Sequence, residues 1–337
     1  MLRIITLRLV GAIPNLIGVI VVTFLLTRAL PGDPAAFFAG AAASPEAVEQ
    51  IREKLGLNKT LIEQFGFYLR DLAYGDFGQS LSTGQPVLTE LVQRLPASLE
   101  LTFCALLFAV VIALPLGVLA ATRPGSWIDH LCRLVTTAGV SLPTFFTGLL
   151  LAYVFYFLLG VAPAPLGRLD LVFSPPASVT GMYLIDSLLA GEGAVFRASF
   201  AQILLPAITM GLFVLAPLAR MTRASMLGVL SSDFIRTARA SGLGGSTVLY
   251  TYAFRNALLP VVTTLGMVFS FLLGSNVLVE KVFAWPGIGS YAIESLTASD
   301  YAPIQGFVLT MGVLYVLLNL AIDVAYGLID PRVGLTA

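Results

Sequence analysis

Six apolar segments separated by polar stretches dominate the sequence. Each is close to the length of about 20 residues that an α-helix needs to cross a bilayer. The segments between them are too polar to cross, so the pattern predicts a bundle of membrane helices joined by loops on both sides. The predicted spans are residues 9–30, 99–121, 134–160, 200–218, 258–279 and 307–329.

The composition agrees with this pattern. Of the 337 residues, 57% are hydrophobic and 11% are charged, whereas an average soluble domain carries about 25% charged residues. The mean hydropathy is +0.90. These values predict an all-α membrane protein with six transmembrane helices. The first helix is expected to remain in the protein, because its apolar run is too long for a secretory signal and no small-residue cleavage site follows it.

The basic residues predict how the chain lies in the membrane. Four short segments contain ten Lys and Arg and three acidic residues, and the three segments that alternate with them contain eight basic and fourteen acidic residues. Because cytosolic loops carry the excess of Lys and Arg, the short segments and both termini are expected to be cytosolic. The cytosolic set is 1–8, 122–133, 219–257 and 330–337, and the external set is 31–98, 161–199 and 280–303.

The first external segment is expected to be a small helical insertion rather than a linker. Ser44, which precedes a proline, is predicted to cap a helix that ends at Gly56. A second amphipathic helix is expected from a cap at Asn58 to Gly75. Two helices this short need other parts of the protein, or a partner, to pack against. The second external segment is expected to contain a short helix near residues 182–189.

A polar segment, residues 231–260, lies between the fourth and fifth predicted spans and contains three arginines. Asp233 is a residue type that often caps a helix N-terminus, and Gly242 can adopt the positive φ that often ends a helix. We expect a short helix of about two turns between them, then a break and a second helix toward Pro260. From spacing alone, the segment fits equally well a solvated loop whose arginines only fix topology.

This segment resembles the coupling loop of ABC-importer permeases of the dipeptide, oligopeptide and nickel branch. The strings DFIRTARASGL and FRNALLPVVT are typical of that branch, which departs from shorter relatives in having Arg236 in place of Glu and a longer distance from Gly242 to Pro260. Further motifs follow in the same order along nearly the whole chain, with the greatest similarity to dipeptide permeases that form the first of two membrane subunits. They are LPGDP at 30–34, YGDFGQS at 74–80, RLPASLEL at 94–101 and YGLIDPR at 326–332.

The resemblance implies a type I ABC-importer permease with an external helical insertion between helices 1 and 2. Such a permease lies in the lipid bilayer, pairs with a second homologous permease subunit and receives substrate from an external binding protein. Two cytosolic ATPase subunits, which bind ATP and Mg, drive it, so this chain would need no cofactor and would bind no nucleic acid. The residues implied to contact an ATPase are Asp233, Phe234, Arg236, Thr237, Ala238, Arg239, Gly242 and Leu243.

The sequence lacks the residues for ATP hydrolysis of its own. A P-loop needs a Lys directly after Gly, whereas Lys54, Lys59 and Lys281 follow Glu or Asn. His130 is the only histidine, which excludes a multi-histidine metal site, and the two cysteines suggest neither a disulfide framework nor a zinc site. Any ATP energy is therefore expected to come from separate subunits.

A few polar residues and prolines within the spans are candidates for function. An ionisable residue inside a membrane helix is a functional hypothesis by default, but a structural role is favoured here because no chain of titratable groups accompanies it. Prolines can act as hinges where hydroxylated neighbours satisfy the freed carbonyls. The intramembrane polar set is Asn276, Asn319 and Asp323, and the hinge candidates are Pro143 and Pro206.

The expected organisation has three parts. Residues 1–30 form the cytosolic N-terminus and first helix, residues 31–98 the external insertion, and residues 99–337 the permease core with the coupling loop at 219–257. The main interpretation is the permease subunit of an ATP-driven importer of di- or oligopeptides across the inner membrane, although relatives also import glutathione, nickel chelates, opines or haem. The alternative is a secondary transporter or channel without ATPase subunits, for which inverted repeats and titratable groups at mid-membrane would be expected.

Overall fold

A computed structural model describes residues 2–29, 33–40 and 43–329. Within these ranges all regular secondary structure is helical, and the π-helical stretches Ala152–Leu158 and Thr247–Phe254 extend two of the helices. The helices are α1 (Leu2–Ala29), α2 (Pro34–Ala39), α3 (Pro45–Lys54), α4 (Leu61–Ala73), α5 (Val87–Thr122), α6 (Trp127–Ser141), α7 (Thr144–Leu151), α8 (Tyr183–Leu189), α9 (Gly193–Leu230), α10 (Asp233–Ala240), α11 (Arg255–Val282), α12 (Ile288–Thr297) and α13 (Tyr301–Ile329).

The described helices account for most of the predicted spans. Four are long and apolar enough to cross a membrane, and a bent pair formed by α6 and α7 makes up to five. The apolar stretch Ile13–Ala29 of α1 is shorter than a full span, so the count of six stays a prediction. The four long spans are Val87–Thr122, Gly193–Leu230, Thr247–Gly274 and Tyr301–Ile322.

The third predicted span, residues 134–160, is divided between two helices. Helix α6 ends at Ser141, and α7 begins after Pro143 with its axis bent by 103°. Leu142 has an extended conformation, with φ −114° and ψ 144°. The cause is local, because a proline disfavours the α conformation of the residue before it.

Helices α5 and α9 form the centre of the bundle. Small residues recur at every fourth position of α5, so they share one face, and all are buried. A Cβ atom added at Gly211 of α9 would lie 2.9 Å from the carbonyl oxygen of Ala105. The backbones of the two helices therefore approach closely, as small-residue interfaces allow in membranes. The buried small residues of this face are Ala97, Ala105, Ala109, Ala113, Gly117 and Ala121.

The two ends of the bundle are distinguished by where α10 lies. We call the end that carries α10 the inner end and the opposite end the outer end. At the outer end, Arg168 donates to the buried carboxylate of Glu100 at 2.7 Å and its guanidinium lies 3.6 Å from the ring centroid of Tyr183. The indole nitrogen of Trp285 donates to the carbonyl of Ala97 at 2.9 Å. These contacts tie the segments after α7 and α11 to α5.

The external insertion contains the expected helices, with one cap placed differently. Ser44 caps α3, and its hydroxyl accepts from the backbone of Ala47, as predicted. The predicted cap at Asn58 is wrong. Helix α4 starts two residues later, because Thr60 and Glu63 form a capping box in which each side chain satisfies the other residue's backbone amide.

The insertion packs on the rest of this chain through α4. The ring of Phe65 lies 5.1 Å from that of Phe24 near the outer end of α1, and the ring of Tyr68 lies 5.9 Å from it. Arg28 donates to Gln64 at 2.7 Å. Helix α4 therefore contacts α1 through these side chains, although none of its residues is fully buried.

The second external segment contains the predicted short helix, observed as α8. Asp186 in α8 accepts hydrogen bonds from the backbone amides of Val179, Thr180 and Gly181, which precede the helix. Burial raises the pKa of Asp186, but these hydrogen bonds outweigh burial, and its pKa is lowered from the ordinary value. The carboxylate thus fixes the preceding loop against the helix.

Candidate functional site

The candidate coupling site is centred on α10, which follows α9 after only two residues. The expected N-cap at Asp233 is wrong by one position. Ser232 is the N-cap, with φ −74° and ψ 156°, and Asp233 lies in the first turn of the helix. An acidic residue there interacts favourably with the helix dipole, so the sequence signal was real but belonged to a neighbouring position.

The C-terminus of α10 has the geometry predicted for Gly242. This residue has φ +75°, the left-handed conformation that glycine adopts without steric cost. The amide of Gly242 donates to the carbonyl of Arg239 at 3.0 Å, and the amide of Leu243 donates to that of Ala238 at 3.4 Å. This pair of bonds is a Schellman motif, which ends the helix sharply.

One face of α10 is buried in the protein and the other is exposed. Ile235 is 0% exposed and Ala238 is 7% exposed, in a cluster with Val118 and Ala121 of α5 and Met226 of α9. Ala238 therefore packs within this chain, and its part in the coupling helix stays a prediction. The exposed residues of the expected set are Asp233, Phe234, Arg236, Thr237, Arg239, Gly242 and Leu243.

The exposed face combines positive charge with apolar surface. Arg236 pairs with Asp233 at 2.9 Å, but their side chains are 77% and 91% exposed, so solvent weakens this bond and leaves Arg236 able to exchange partners. Phe234 and Leu243 are 45% and 39% exposed. Beside the helix, Arg239 lines a cleft of about 530 Å³ with residues of α5, α9 and the stretch before α11. A partner surface with acidic and apolar groups would fit this face.

The intramembrane polar candidates separate into two situations. Asn276, near the outer end of α11, is buried and donates to the carbonyl of Ser98 and to the hydroxyl of Thr102 in α5. Asn319 donates to the carbonyl of Tyr315 in its own helix at 2.9 Å. Asp323 belongs to α13, but its side chain lies outside the described part of the chain.

The hinge candidates also differ from each other. Pro143 stands at the break between α6 and α7. Pro206 is buried inside α9, which continues through it as one helix, and the hydroxyl of Thr209 donates to the carbonyl of Leu205 at 2.8 Å. A hinge role for either residue stays a prediction.

Two buried acids outside the predicted site set have long-range partners that sequence reasoning did not find. Glu280 in α11 accepts from the hydroxyl of Ser98 and from the backbone amide of Ser290. Asp129 in α6 pairs with Arg223 in α9. In the sequence both acids stood in predicted loops, where charges count toward topology. No sequence signal identifies their partners, because Arg223 is 94 residues from Asp129 and Ser98 is 182 residues from Glu280.

Comparison with known proteins identifies the class. Residues 113–335 match the family described as the inner membrane component of binding-protein-dependent transport systems, and residues 1–102 match the N-terminal region described for such membrane components. The chain belongs to this family and is a multi-pass inner membrane protein. It is a transport subunit of an ABC system, and the ATPase resides on separate subunits.

Full-length relatives share a considerable part of the sequence. The chain is 46% identical over 324 residues to the probable D,D-dipeptide transport system permease protein DdpB of Escherichia coli K12, covering 96% of this chain and 95% of that protein. It is 42% identical to the dipeptide permease DppB of Alkalihalophilus pseudofirmus, covering 97% of each. It is 37% identical to the glutathione permease GsiC of Escherichia coli O1:K1, covering 99% of each.

A solved structure supports the fold. A chain of the inward-facing methionine ABC transporter MetNI matches with a TM-score of 0.53 at 20% identity, covering 72% of this chain and 97% of that chain. Identity at this level bears on the fold alone. The all-α ABC-importer permease fold expected from the sequence is therefore confirmed. The family assignment favours ATP-driven transport over the stand-alone secondary transporter or channel.

Proposed function

We propose that this protein is the permease subunit of an importer for dipeptides and short oligopeptides, and that α10 receives the motion of an ATPase subunit. The observation that carries the coupling role is the two-sided character of α10. Its buried face is anchored by Ile235 on α5 and α9, while Phe234, Arg236 and Arg239 face solvent. A short capped helix held in this way can pass on a rigid-body displacement, whereas a flexible loop would absorb it.

The proposed complex contains five subunits. This chain pairs with a second homologous permease subunit, and two ATPase subunits that bind ATP and Mg lie at the inner end. An external binding protein delivers peptide at the outer end. Both termini are proposed to be cytosolic, since the segments that hold ten basic and three acidic residues then face the cytosol. The domain boundaries at residues 30 and 98 are proposed on the same basis.

The external segments are proposed to form the docking surface for the binding protein. Ile62 on α4 is 85% exposed, and Leu171 and Val172 in the second external segment are 87% and 86% exposed. Apolar side chains this exposed at the outer end suit contact with a protein partner. Packing of α4 on α1 does not conflict with docking, because it uses Phe65 and Tyr68 and leaves Ile62 free of that contact.

The peptide substrate is proposed from the relatives, because those sharing 40–46% identity over the full chain are named as dipeptide permeases. The decisive experiment is uptake by a strain in which this system is the only peptide importer. The strain is offered labelled dialanine, a tripeptide, glutathione and a nickel chelate, each in the presence and absence of this chain. Chain-dependent uptake of dialanine supports the proposal. Uptake of glutathione or nickel alone would reject the peptide assignment and keep the importer assignment.

A further inference from the structure

An ion pair between a buried carboxylate and a partly exposed arginine joins α6 to α9 at the inner end of the bundle. The carboxylate of Asp129 is 1% exposed and accepts four hydrogen bonds from other groups. Arg223 donates through Nε to Oδ1 at 2.6 Å and through its terminal nitrogen to Oδ2 at 3.0 Å. Arg133 donates to Oδ2 at 2.9 Å, and the amide of Gly125 donates to it at 3.0 Å.

This arrangement is more specific than charge neutralisation requires. A fork of two parallel bonds fixes the relative orientation of guanidinium and carboxylate, and not only their distance. Arg133 and Gly125 donate two further hydrogen bonds to Oδ2, so both oxygens of the carboxylate have partners. Removal of Arg223 leaves the buried carboxylate with Arg133 as its remaining charged partner and without the fork that orients it, which is unfavourable.

The pair lies where α9 leads into α10. Arg223 lies in the last part of α9, which ends at Leu230, and α10 begins three residues later at Asp233. Next to Arg223, a Cβ atom added at Gly117 of α5 would lie 2.6 Å from the Cβ of Thr222, so α5 and α9 touch there. The helices α5, α9 and α10 thus form one packed unit at the inner end.

Helix α6 joins this unit at two points. Asp129 is its inner attachment, and near its other end a Cβ atom added at Gly139 would lie 2.8 Å from the carbonyl oxygen of Leu212 in α9. Helix α6 ends two residues after Gly139, and the direction of the chain changes at Pro143. Helix α6 is therefore attached to α9 over its length. Helix α7, after the break, also contacts α9, since a Cβ atom added at Gly148 would lie 3.2 Å from Cγ2 of Thr209.

We infer that the pair of Asp129 and Arg223 is a positioning clamp that makes α6 move with α9 and α10 during transport. This inference rests on the proposed coupling role of α10. When an ATPase displaces α10, the clamp carries α6 along, and the change in direction is taken up at the Pro143 break. Without the clamp, α10 and α9 still move, but α6 lags behind them, so the helices at the inner end no longer move as one unit.

The first test measures import per ATP hydrolysed. The complete complex with its partner permease, ATPases and binding protein is reconstituted in proteoliposomes and given labelled dialanine. Asp129→Asn and Arg223→Gln should retain ATP turnover while import per ATP falls by about five- to tenfold, a range typical of coupling between sites. Arg223→Lys, which keeps the charge but loses the fork, should give a smaller decrease.

The controls separate positioning from stability. Arg220→Gln removes an equivalent charge from an exposed position of α9 one turn away and should leave import per ATP unchanged. A purely structural role would reduce the amount of complex but leave this ratio normal in the complex that remains. Normal ratios in both single variants would overturn the clamp.

A second measurement does not depend on the substrate. Spin labels are attached at Trp127 in α6 and Ser231 after α9, both exposed at the inner end, with Cys104 and Cys132 replaced by Ala. In the protein with the clamp intact, the distribution of distances between the labels should stay narrow and unchanged on addition of ATP. In Asp129→Asn, the same distribution should shift or broaden when ATP is added. Identical distance distributions in the wild-type protein and in Asp129→Asn would reject the clamp. Failure of the wild-type complex to import dipeptide would reject only the proposed substrate.

Discussion

The hydroxyl of Ser98 in α5 donates to the carboxylate of Glu280 in α11 at 2.5 Å, across 182 residues of sequence. The same hydroxyl oxygen accepts from the amide of Ile288 at 2.9 Å, and the other carboxylate oxygen accepts from the amide of Ser290 at 2.8 Å. Glu280 is 0% exposed. This cluster fastens the start of α12 between α5 and α11 at the outer end.

A side chain at Gly287 should disrupt this cluster. Its Cβ atom would lie 2.1 Å from Oε1 of Glu280 and 2.3 Å from Oγ of Ser98, within a buried network that has no free space. We expect Gly287→Ala to destabilise the purified complex by about 1–3 kcal/mol, as overpacking does in other protein interiors. Thermal unfolding in detergent measures this. Gly193→Ala is the matched control, because no atom lies within 4 Å of its added Cβ, and an equal loss in both variants would contradict the prediction.

Gly242 should be required for coupling but not for membrane insertion. Its φ of +75° is unfavourable for a β-branched residue, and Gly242→Val should strain the end of α10 by about 1–3 kcal/mol. We expect loss of ATP turnover stimulated by the binding protein, with normal amounts of chain in the membrane. Gly244→Val is the control, because Gly244 is exposed and does not have a positive φ. Wild-type turnover in Gly242→Val with all subunits present would leave only a topogenic role for the loop.

Reversal of charge on the exposed face of α10 should weaken contact with an ATPase. Arg236→Glu and Arg239→Glu would place negative charge where an acidic groove is expected, and like charges across an interface oppose binding. We expect reduced copurification of ATPase subunits and reduced uptake, most strongly at low salt, since exposed charges are screened. Arg220→Glu makes the same change at an exposed position of α9, about three turns before the end of that helix and therefore away from α10. Equal copurification in all three variants would contradict a charged contact.

The orientation of the chain can be tested by labelling. In a protein without Cys104 and Cys132, Ser44→Cys should react with an impermeant thiol reagent in cells whose inner membrane is intact. Ser241→Cys, exposed after α10, should react only after that membrane is permeabilised. The basic excess of the inner segments predicts this result. The reverse pattern would place α10 outside, where no ATPase could reach it.

The proposed docking surface can be separated from the internal packing of the insertion. Ile62→Glu alters a side chain that is 85% exposed, so it should weaken the affinity for the binding protein while the melting temperature stays normal. Phe65→Ala removes the ring packed on Phe24, and it should lower the melting temperature, because loss of a packed ring is costly. Binding to the complex in nanodiscs measures the affinity. Unchanged affinity of Ile62→Glu would remove α4 from the docking surface.

Features governed by neighbouring residues were predictable from the sequence. The cap at Ser44, the helix end at Gly242 and the apolar spans depend on local chemistry that a reader of the sequence can see. Local signals also had a limited resolution. The caps predicted at Asn58 and Asp233 belong to Thr60 and Ser232, because several residues of similar chemistry compete within one turn.

The sequence by itself determined that the chain is a helical membrane permease with a short polar helix at its inner end. The apolar segments that are buried in lipid, and the glycines and prolines that end or bend helices, act through residues close together in the sequence. Only the tertiary structure decided which charges meet. The packing of whole helices brings Asp129 to Arg223 and Glu280 to Ser98. A helix carries each side chain to a place set by the register and crossing of its neighbours, and that geometry is a property of the assembled bundle rather than of any one segment.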